Sequence, residues 1–267
     1  MPKISKPGAA MPEAEVHAFG RVTARAKAVC RLPLSLVLIV GFYSAYISPP
    51  ALHAQGQPDA AAKLEEKMEE LAAEGRYGEA IPLADRLSEI LKKNLGENHP
   101  AYVKVLYRLA SFYSDNGQYD MAEQVLLKAA VIVKNVLGDK SPHYSVSITY
   151  LALLYEKTGR YGEAEPLLVQ STRIWEAINR DGSDYATSLD HLGNLYTDTG
   201  RYDEAEQLLL KAAQIRKKAS GGNDPDYASG LNNLGVLYMT TGRFDKAEPL
   251  LLQAEGIEKN AGVEDPR

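Results

Sequence analysis

Residues 159–168 read Gly-Arg-Tyr-Gly-Glu-Ala-Glu-Pro-Leu-Leu, and four variants of the stretch recur along the chain. They are Gly75-Arg76-Tyr77-Gly78-Glu79-Ala80, Gly117-Gln118-Tyr119-Asp120-Met121-Ala122, Gly200-Arg201-Tyr202-Asp203-Glu204-Ala205 and Gly242-Arg243-Phe244-Asp245-Lys246-Ala247. The glycines stand 42, 42, 41 and 42 residues apart. A fixed period of that size marks a repeat architecture and decides the fold class before local propensity is weighed. It does not by itself name a ligand.

Each repeat divides into two helical blocks. In the first, Leu109, Phe112 and Tyr113 match Leu151, Leu154 and Tyr155, then Leu192, Leu195 and Tyr196, then Leu234, Leu237 and Tyr238. Spacings of three and four put these side chains on one helix face. A small residue follows the leucine each time (Ala110, Ala152, Gly193, Gly235), which lets a second helix approach closely. The block ends at the repeated glycine, which takes the left-handed conformation past a helix C-terminus without a Cβ penalty.

The second block begins near the aromatic residue and carries Ala80, Ala122, Ala164, Ala205 and Ala247, then Ile90, Ile132, Ile174, Ile215 and Ile257. Asp120, Asp203 and Asp245 stand at its start, where an acid complements the helix dipole and can cap free N–H groups. Pro82, Pro166 and Pro249 come early, so the helix is expected to start only just before them. The interval from Ile174 to Tyr185 is one residue shorter than its counterparts, which places the deletion in the connecting loop 179–184. Lys63 to Glu74 forms a highly charged helix with one narrow apolar stripe, Leu64, Met68 and Leu71, and reads as a degenerate first repeat of capping character. The pattern predicts an all-α chain with repeats at about 63–96, 99–138, 142–180, 184–221 and 226–260, a linker at 55–62 and a tail at 261–267.

Leucine, small residue, tyrosine, glycine, tyrosine and alanine at these offsets resemble a tetratricopeptide repeat. The 42-residue period resembles the long kinesin-light-chain type, as do Leu231-Asn232-Asn233-Leu234, Glu163-Ala164-Glu165-Pro166-Leu167-Leu168 and Glu97-Asn98-His99-Pro100. The resemblance covers about residues 63–260 and implies a right-handed α-solenoid of antiparallel helix pairs, about five repeats with the first degenerate. It does not make the chain a motor subunit, because such repeats occur on many unrelated proteins.

Residues 1–54 carry six Lys or Arg and two Glu, net +4; residues 55–267 carry 24 Lys or Arg and 33 Asp or Glu, net −9. An acidic body argues against nucleic-acid binding, which needs a basic face. Arg21, Arg25, Lys27 and Arg31 precede an apolar run at 32–47, then Pro49-Pro50 and Ala51-Leu52-His53-Ala54. Basic region, short apolar run and small residues before a polar one describe a secretory signal peptide cut after Ala54, with Met11 as an alternative start. The other reading is an uncleaved anchor, although sixteen residues fall short of the roughly 20 that span a bilayer. Cleavage gives a periplasmic or secreted protein; retention gives a membrane-anchored one. The single cysteine, Cys30, lies before the apolar run, so the body needs no disulfide.

Catalytic constellations are absent from the sequence: no phosphate-binding loop, no nucleophile elbow and, after residue 30, no thiol. His99 and His143 read as loop or capping histidines, since no second ligand stands at metal spacing. His191 with Asp190, Asn194 and Asp198 reads as groove lining rather than acid–base machinery, and Trp175 as a packing or surface aromatic. The tyrosine columns (Tyr113, Tyr155, Tyr196, Tyr238 and Tyr102, Tyr144, Tyr185, Tyr227) keep fixed offsets from core leucines, which favours packing over a stacking ladder. The expectation is a protein without enzymatic activity, metal or cofactor.

In the family the concave surface is lined by the first helix of each pair. Carried over by position, the resemblance implies a partner-binding groove of Lys104, Tyr107, Ser111, Thr149, Glu156, Lys157, Asp190, Asn194, Asp198, Asn232 and Met239. The paired asparagines of the kinesin-light-chain subtype appear only at Asn232-Asn233, and the Lys/Asn/Arg clamp for C-terminal carboxylates is missing, so no ligand is inherited. The last helix, with Leu250, Leu251 and Ile257, is expected to leave apolar surface open for self-association or a partner. Two functions follow. One is an exported scaffold that holds a peptide or protein in the groove. The other is a cell-envelope assembly module acting through end-to-end or homo-oligomeric contacts.

Overall fold

The periodic apolar positions become ten α-helices among residues 58–262, the part that the computed structural model describes. The basic head with Met11 and Cys30, the apolar run 32–47, the cleavage position after Ala54 and residues 263–267 lie outside the described residues. The helices are α1 (Pro58–Ala73), α2 (Tyr77–Leu95), α3 (Pro100–Asp115), α4 (Tyr119–Leu137), α5 (Pro142–Lys157), α6 (Tyr161–Ile178), α7 (Ser183–Asp198), α8 (Tyr202–Ser220), α9 (Pro225–Thr240) and α10 (Phe244–Asn260). No strand interrupts them among these residues, and each odd-numbered helix is the first of a pair. The all-α fold of consecutive helix pairs is therefore what the sequence pattern led us to expect.

Each pair turns on its repeated glycine. Gly75, Gly117, Gly159, Gly200 and Gly242 have φ between 72° and 80°. The following N–H closes back on the carbonyl five residues earlier, as from Arg160 to Tyr155 at 2.7 Å and from Arg243 to Tyr238 at 2.8 Å. That bond satisfies a carbonyl left open at the helix end and fixes the hairpin. The first helices α3, α5 and α9 carry proline at N1 behind a capping side chain: His99 accepts from Ala101 N–H, Ser141 from Tyr144 N–H, and Asp224 from Asp226 N–H. His99 thus caps as expected, whereas His143 lies in the first turn of α5 and not in a loop.

Four local expectations change. The second helices start five residues ahead of Pro82, Pro166 and Pro249, not just before them, because the glycine turn launches the helix at once. All three prolines are exposed, and two stand over a glycine at i−4 (Gly78, Gly162), which leaves the unpaired carbonyl open to water. Asp120, Asp203 and Asp245 lie in first turns but form no capping bond; the N-cap positions are Gln118, Arg201 and Arg243. The one-residue deletion is not in the loop. Connectors 96–99, 138–141, 179–182 and 221–224 all have four residues, while α6 has 18 residues against 19 in α2, α4 and α8. Accordingly the connector after α6 begins with Asn179 in extended backbone (φ −158°), where the other connectors begin with a glycine of positive φ. Lastly, α1 begins at Pro58, inside the stretch read as linker.

The described residues form two compact units, 58–195 and 196–262, with the boundary near the end of α7. In the first unit, the core is Met68, Leu109, Phe112, Leu126, Ile148, Leu154, Leu168 and Leu189, with Trp175 buried beside Ile174. In the second it is Leu209, Leu231, Leu234, Leu237, Leu251 and Ile257. The tyrosine columns pack in these cores, with only Tyr144 half-buried.

Candidate functional site

In the unit 58–195, consecutive first helices are bonded side by side. From α1, Glu65 pairs with Lys104 at 3.6 Å and Glu69 with Arg108, both on α3. From α3, the Tyr107 hydroxyl meets Ser147 Oγ at 2.5 Å, and its ring lies 5.1 Å from Tyr150 on α5. Lys157 at the end of α5 reaches back to α3, donating to Ser114 Oγ at 3.1 Å and Asp115 Oδ1 at 3.0 Å. Further in, Thr149 shares its hydroxyl with Ser171 on α6 and donates to the Ser145 carbonyl. These bonds make a continuous polar row from α1 to α5.

The residues expected to line a groove are distributed unevenly along this row. Tyr107, Ser111 and Asp190 are buried; Lys104, Thr149, Glu156 and Asn194 are half-buried; Lys157 is exposed. Ser111 donates weakly to Asp115 at 3.5 Å within its own helix. In the unit 196–262, Asp198 is exposed and Met239 half-buried, while Asn232 is buried and donates to Glu258 on α10 at 3.1 Å. Much of the row's hydrogen-bonding capacity therefore goes to neighbouring helices. The half-buried and exposed members are those a partner could reach: Lys104, Thr149, Glu156, Lys157 and Asn194 in one unit, Asp198 and Met239 in the other.

The family model for the tetratricopeptide repeat matches residues 103–177 and 184–259, more than half of the chain. The chain belongs to the tetratricopeptide repeat family. It is similar to the crystal structure of nearly identical TPR-like repeats from a candidate kinesin light chain of Podosopora anserina, in a single-substitution form, at 25% identity. That likeness covers 79% of this chain and 100% of the other, with a TM-score of 0.64. A second structure of those repeats is 25% identical over 78% and 99%, with a TM-score of 0.62. BtubC (BKLC) from P. vanneervenii is 20% identical over 96% of this chain and 94% of its own, with a TM-score of 0.63, a likeness of fold. The comparison with curated proteins gives no match. TPR domains in general mediate protein–protein binding, and their fold is a scaffold rather than a catalytic frame.

One recurring feature escaped the reading of the sequence: a latch between successive TPR units. The Glu123 carboxylate on α4 accepts the Tyr155 hydroxyl at 2.8 Å and two bonds from Arg160, whose guanidinium lies 4.1 Å from the Tyr155 ring centroid. In the other unit Glu206 repeats this with Tyr238 at 2.7 Å and Arg243 at 2.6 Å. Hydrogen bonding to Arg160 holds the Glu123 carboxyl below the usual carboxylate range. For Glu206, burial is the largest single influence and pushes the carboxyl up, but the bonds from Arg243 and Tyr238 together outweigh it and hold the carboxyl low. Burial, helped by the facing carboxylate, pushes the Tyr155 and Tyr238 phenols up to about 12. The signal was present in the sequence as Glu six residues after one glycine and Arg one residue after the next.

The last pair departs from the others. Positions thirteen and sixteen residues past the glycine are buried in α4 (Ala130, Val133), α6 (Thr172, Trp175) and α8 (Ala213, Arg216). In α10 they are Glu255 and Glu258, so that flank is acidic, and the exposed apolar side chains of α10, Phe244 and Leu252, lie elsewhere on the helix.

Proposed function

We propose that this protein is a non-enzymatic scaffold that binds a peptide or protein segment along the first helices of its TPR pairs. The observation that carries the reading is the bonded row of α1, α3 and α5, which fixes Lys104 and Lys157 on adjacent helices, with Glu156 next to Lys157, in a family that generally binds proteins. Reachable charges of both signs favour a partner segment of mixed charge. We further propose export, supported by the basic and apolar pattern of residues 1–54, with the scaffold periplasmic or secreted after cleavage near Ala54.

The test is pull-down of the purified chain from its own cell envelope, with bound proteins identified by mass spectrometry. Lys104→Ala with Asn194→Ala is expected to lose the captured partner while the circular dichroism spectrum stays unchanged. A partner retained at full recovery by that variant would overturn the first-helix site. N-terminal sequencing of the exported protein tests the cleavage, and an intact Met1 or Met11 in membranes would sink it.

A further inference from the structure

All eleven exposed large apolar side chains among the described residues lie on second helices, and six of them (Tyr119, Met121, Leu127, Val131, Val136, Leu137) lie on α4. Within α4, Asp120, Gln124, Leu127, Val131 and Lys134 follow one another at intervals of four, three, four and three, the spacing of a coiled-coil seam. Its two apolar members stand well clear of the core, Leu127 at 43% exposure and Val131 at 57%. No other second helix builds this seam. At the Val131 position the other repeats have Glu89, Arg173, Gln214 and Gly256, and at the Gln124 position three of the four have proline (Pro82, Pro166, Pro249).

We propose that this stripe is a self-association surface, at which two copies of the chain pair their α4 helices antiparallel about a two-fold axis. The sequence of the stripe is self-complementary only in that sense: acid at the N-terminal end, apolar centre, base at the C-terminal end. Antiparallel pairing sets Leu127 against the second copy's Val131 and brings Lys134 beside the second copy's Gln124 and Asp120. A two-fold contact repeats each of these twice, so one complementary pair is worth two. Parallel pairing would instead stack Asp120 on Asp120 and Lys134 on Lys134. The charged residues at the Val131 position of the neighbouring second helices confine the apolar contact to α4, so the dimer is small, weak and concentration-dependent. The surface lies on the second helices and is independent of the first-helix binding row.

Sedimentation equilibrium of the full chain in a density-matched non-ionic detergent tests the proposal. The wild type is expected to show a monomer–dimer equilibrium. Val131→Asp should weaken it about tenfold or more, since it places two carboxylates in the apolar centre. Asp120→Lys and Lys134→Asp should each weaken it, and the double reversal D120K/K134D should restore it. Asp120, Val131 and Lys134 are all exposed, so these variants are expected to keep wild-type helicity by circular dichroism. A chain that is monomeric throughout, a dimer indifferent to V131D, or no restoration by the double reversal would each overturn it. Indifference to V131D would also place any residual association on another element, the apolar run 32–47 included.

Discussion

Gly235 gives a sharp test of how tightly the pairs are packed. On an exposed helix, Gly→Ala stabilises by about 1 kcal/mol, because alanine loses less backbone entropy on folding. Gly235 lies within α9 and its φ is not positive, so backbone strain gives no reason to keep it. The reason is steric. A Cβ at this position would stand 2.4 Å from Leu251 Cδ2 and 2.7 Å from its Cγ. Leu251 is 1% exposed, so its side chain has no solvent to move into and must adopt a strained rotamer or part α9 from α10. Overpacking of this kind costs about 1–3 kcal/mol, which outweighs the propensity gain. Gly235→Ala should therefore destabilise the chain by about 1–2 kcal/mol, lowering the thermal midpoint by about 2–8 °C on the usual scaling for chains of this size. Hydrogen exchange localises the effect: faster exchange is expected across α9 and α10, with the unit 58–195 unchanged. Ala152, fully buried at the matching position of α5, supplies the contrast, since Ala152→Gly should also destabilise, by about 1 kcal/mol. A more stable Gly235→Ala variant would refute the close-packing argument.

Two further perturbations act on the repeats. Pro166 stands at the sixth position of α6 and is exposed, so Pro166→Ala restores a helix bond to the Gly162 carbonyl and should raise stability by about 1–3 kcal/mol, read as an increased urea midpoint. The latch carboxylates make stability acid-sensitive: the folded state holds the Glu123 and Glu206 carboxyls below their ordinary range, so it binds fewer protons than the unfolded chain as the pH falls. Their contribution is complete above the ordinary carboxylate range and is lost as pH drops through it and below. Urea midpoints measured from pH 7 down to about pH 3 should fall less steeply for Glu123→Gln with Glu206→Gln than for the wild type. Parallel curves would show that these pairs are indifferent to folding.

Period, hairpin and helix content were legible because every repeat must meet the same packing demands. Leu109, Leu151 and Leu234 fill equivalent space, and a turn with φ near 75° admits glycine at almost no cost. What escaped the sequence depends on competition between local signals or on stacking. The prolines advertise a helix start, but the glycine turn had already begun the helix, and on a water-facing side the missing bond is tolerable. The deletion next to Asn179 could be absorbed by loop or helix; the four-residue connector was kept and α6 gave up a residue. The latch joins Glu123 to Arg160 across 37 residues, a distance no helical periodicity reports. Groove positions could be named by resemblance, yet their availability could not. Tyr107 and Asn232 are occupied by Ser147 and Glu258, bonds that exist only once helices stack.

The acidic flank of α10 sets which face of the last described pair can associate with another helix. A TPR pair buries its flank under the first helix of the next, and a flank left apolar is an aggregation site. Here the two positions that internal repeats fill with Ala130 and Val133, or Thr172 and Trp175, carry Glu255 and Glu258. Burying them under another helix would strip water from two carboxylates, one of which accepts from Asn232 and the other from Lys259 at 2.7 Å. The charges therefore oppose association through this flank. Replacing them with their internal counterparts, as Glu255→Ala with Glu258→Val, should create a concentration-dependent association that the wild-type flank does not support. Because the gain is apolar, it should persist in about 0.5 M salt, where charge-driven contacts between copies are screened to within about 4 Å. Introducing Val131→Asp in the same background separates this from the α4 stripe. Light scattering that shows the double variant no more associated than the wild type would mean that the two glutamates do not oppose association through this flank.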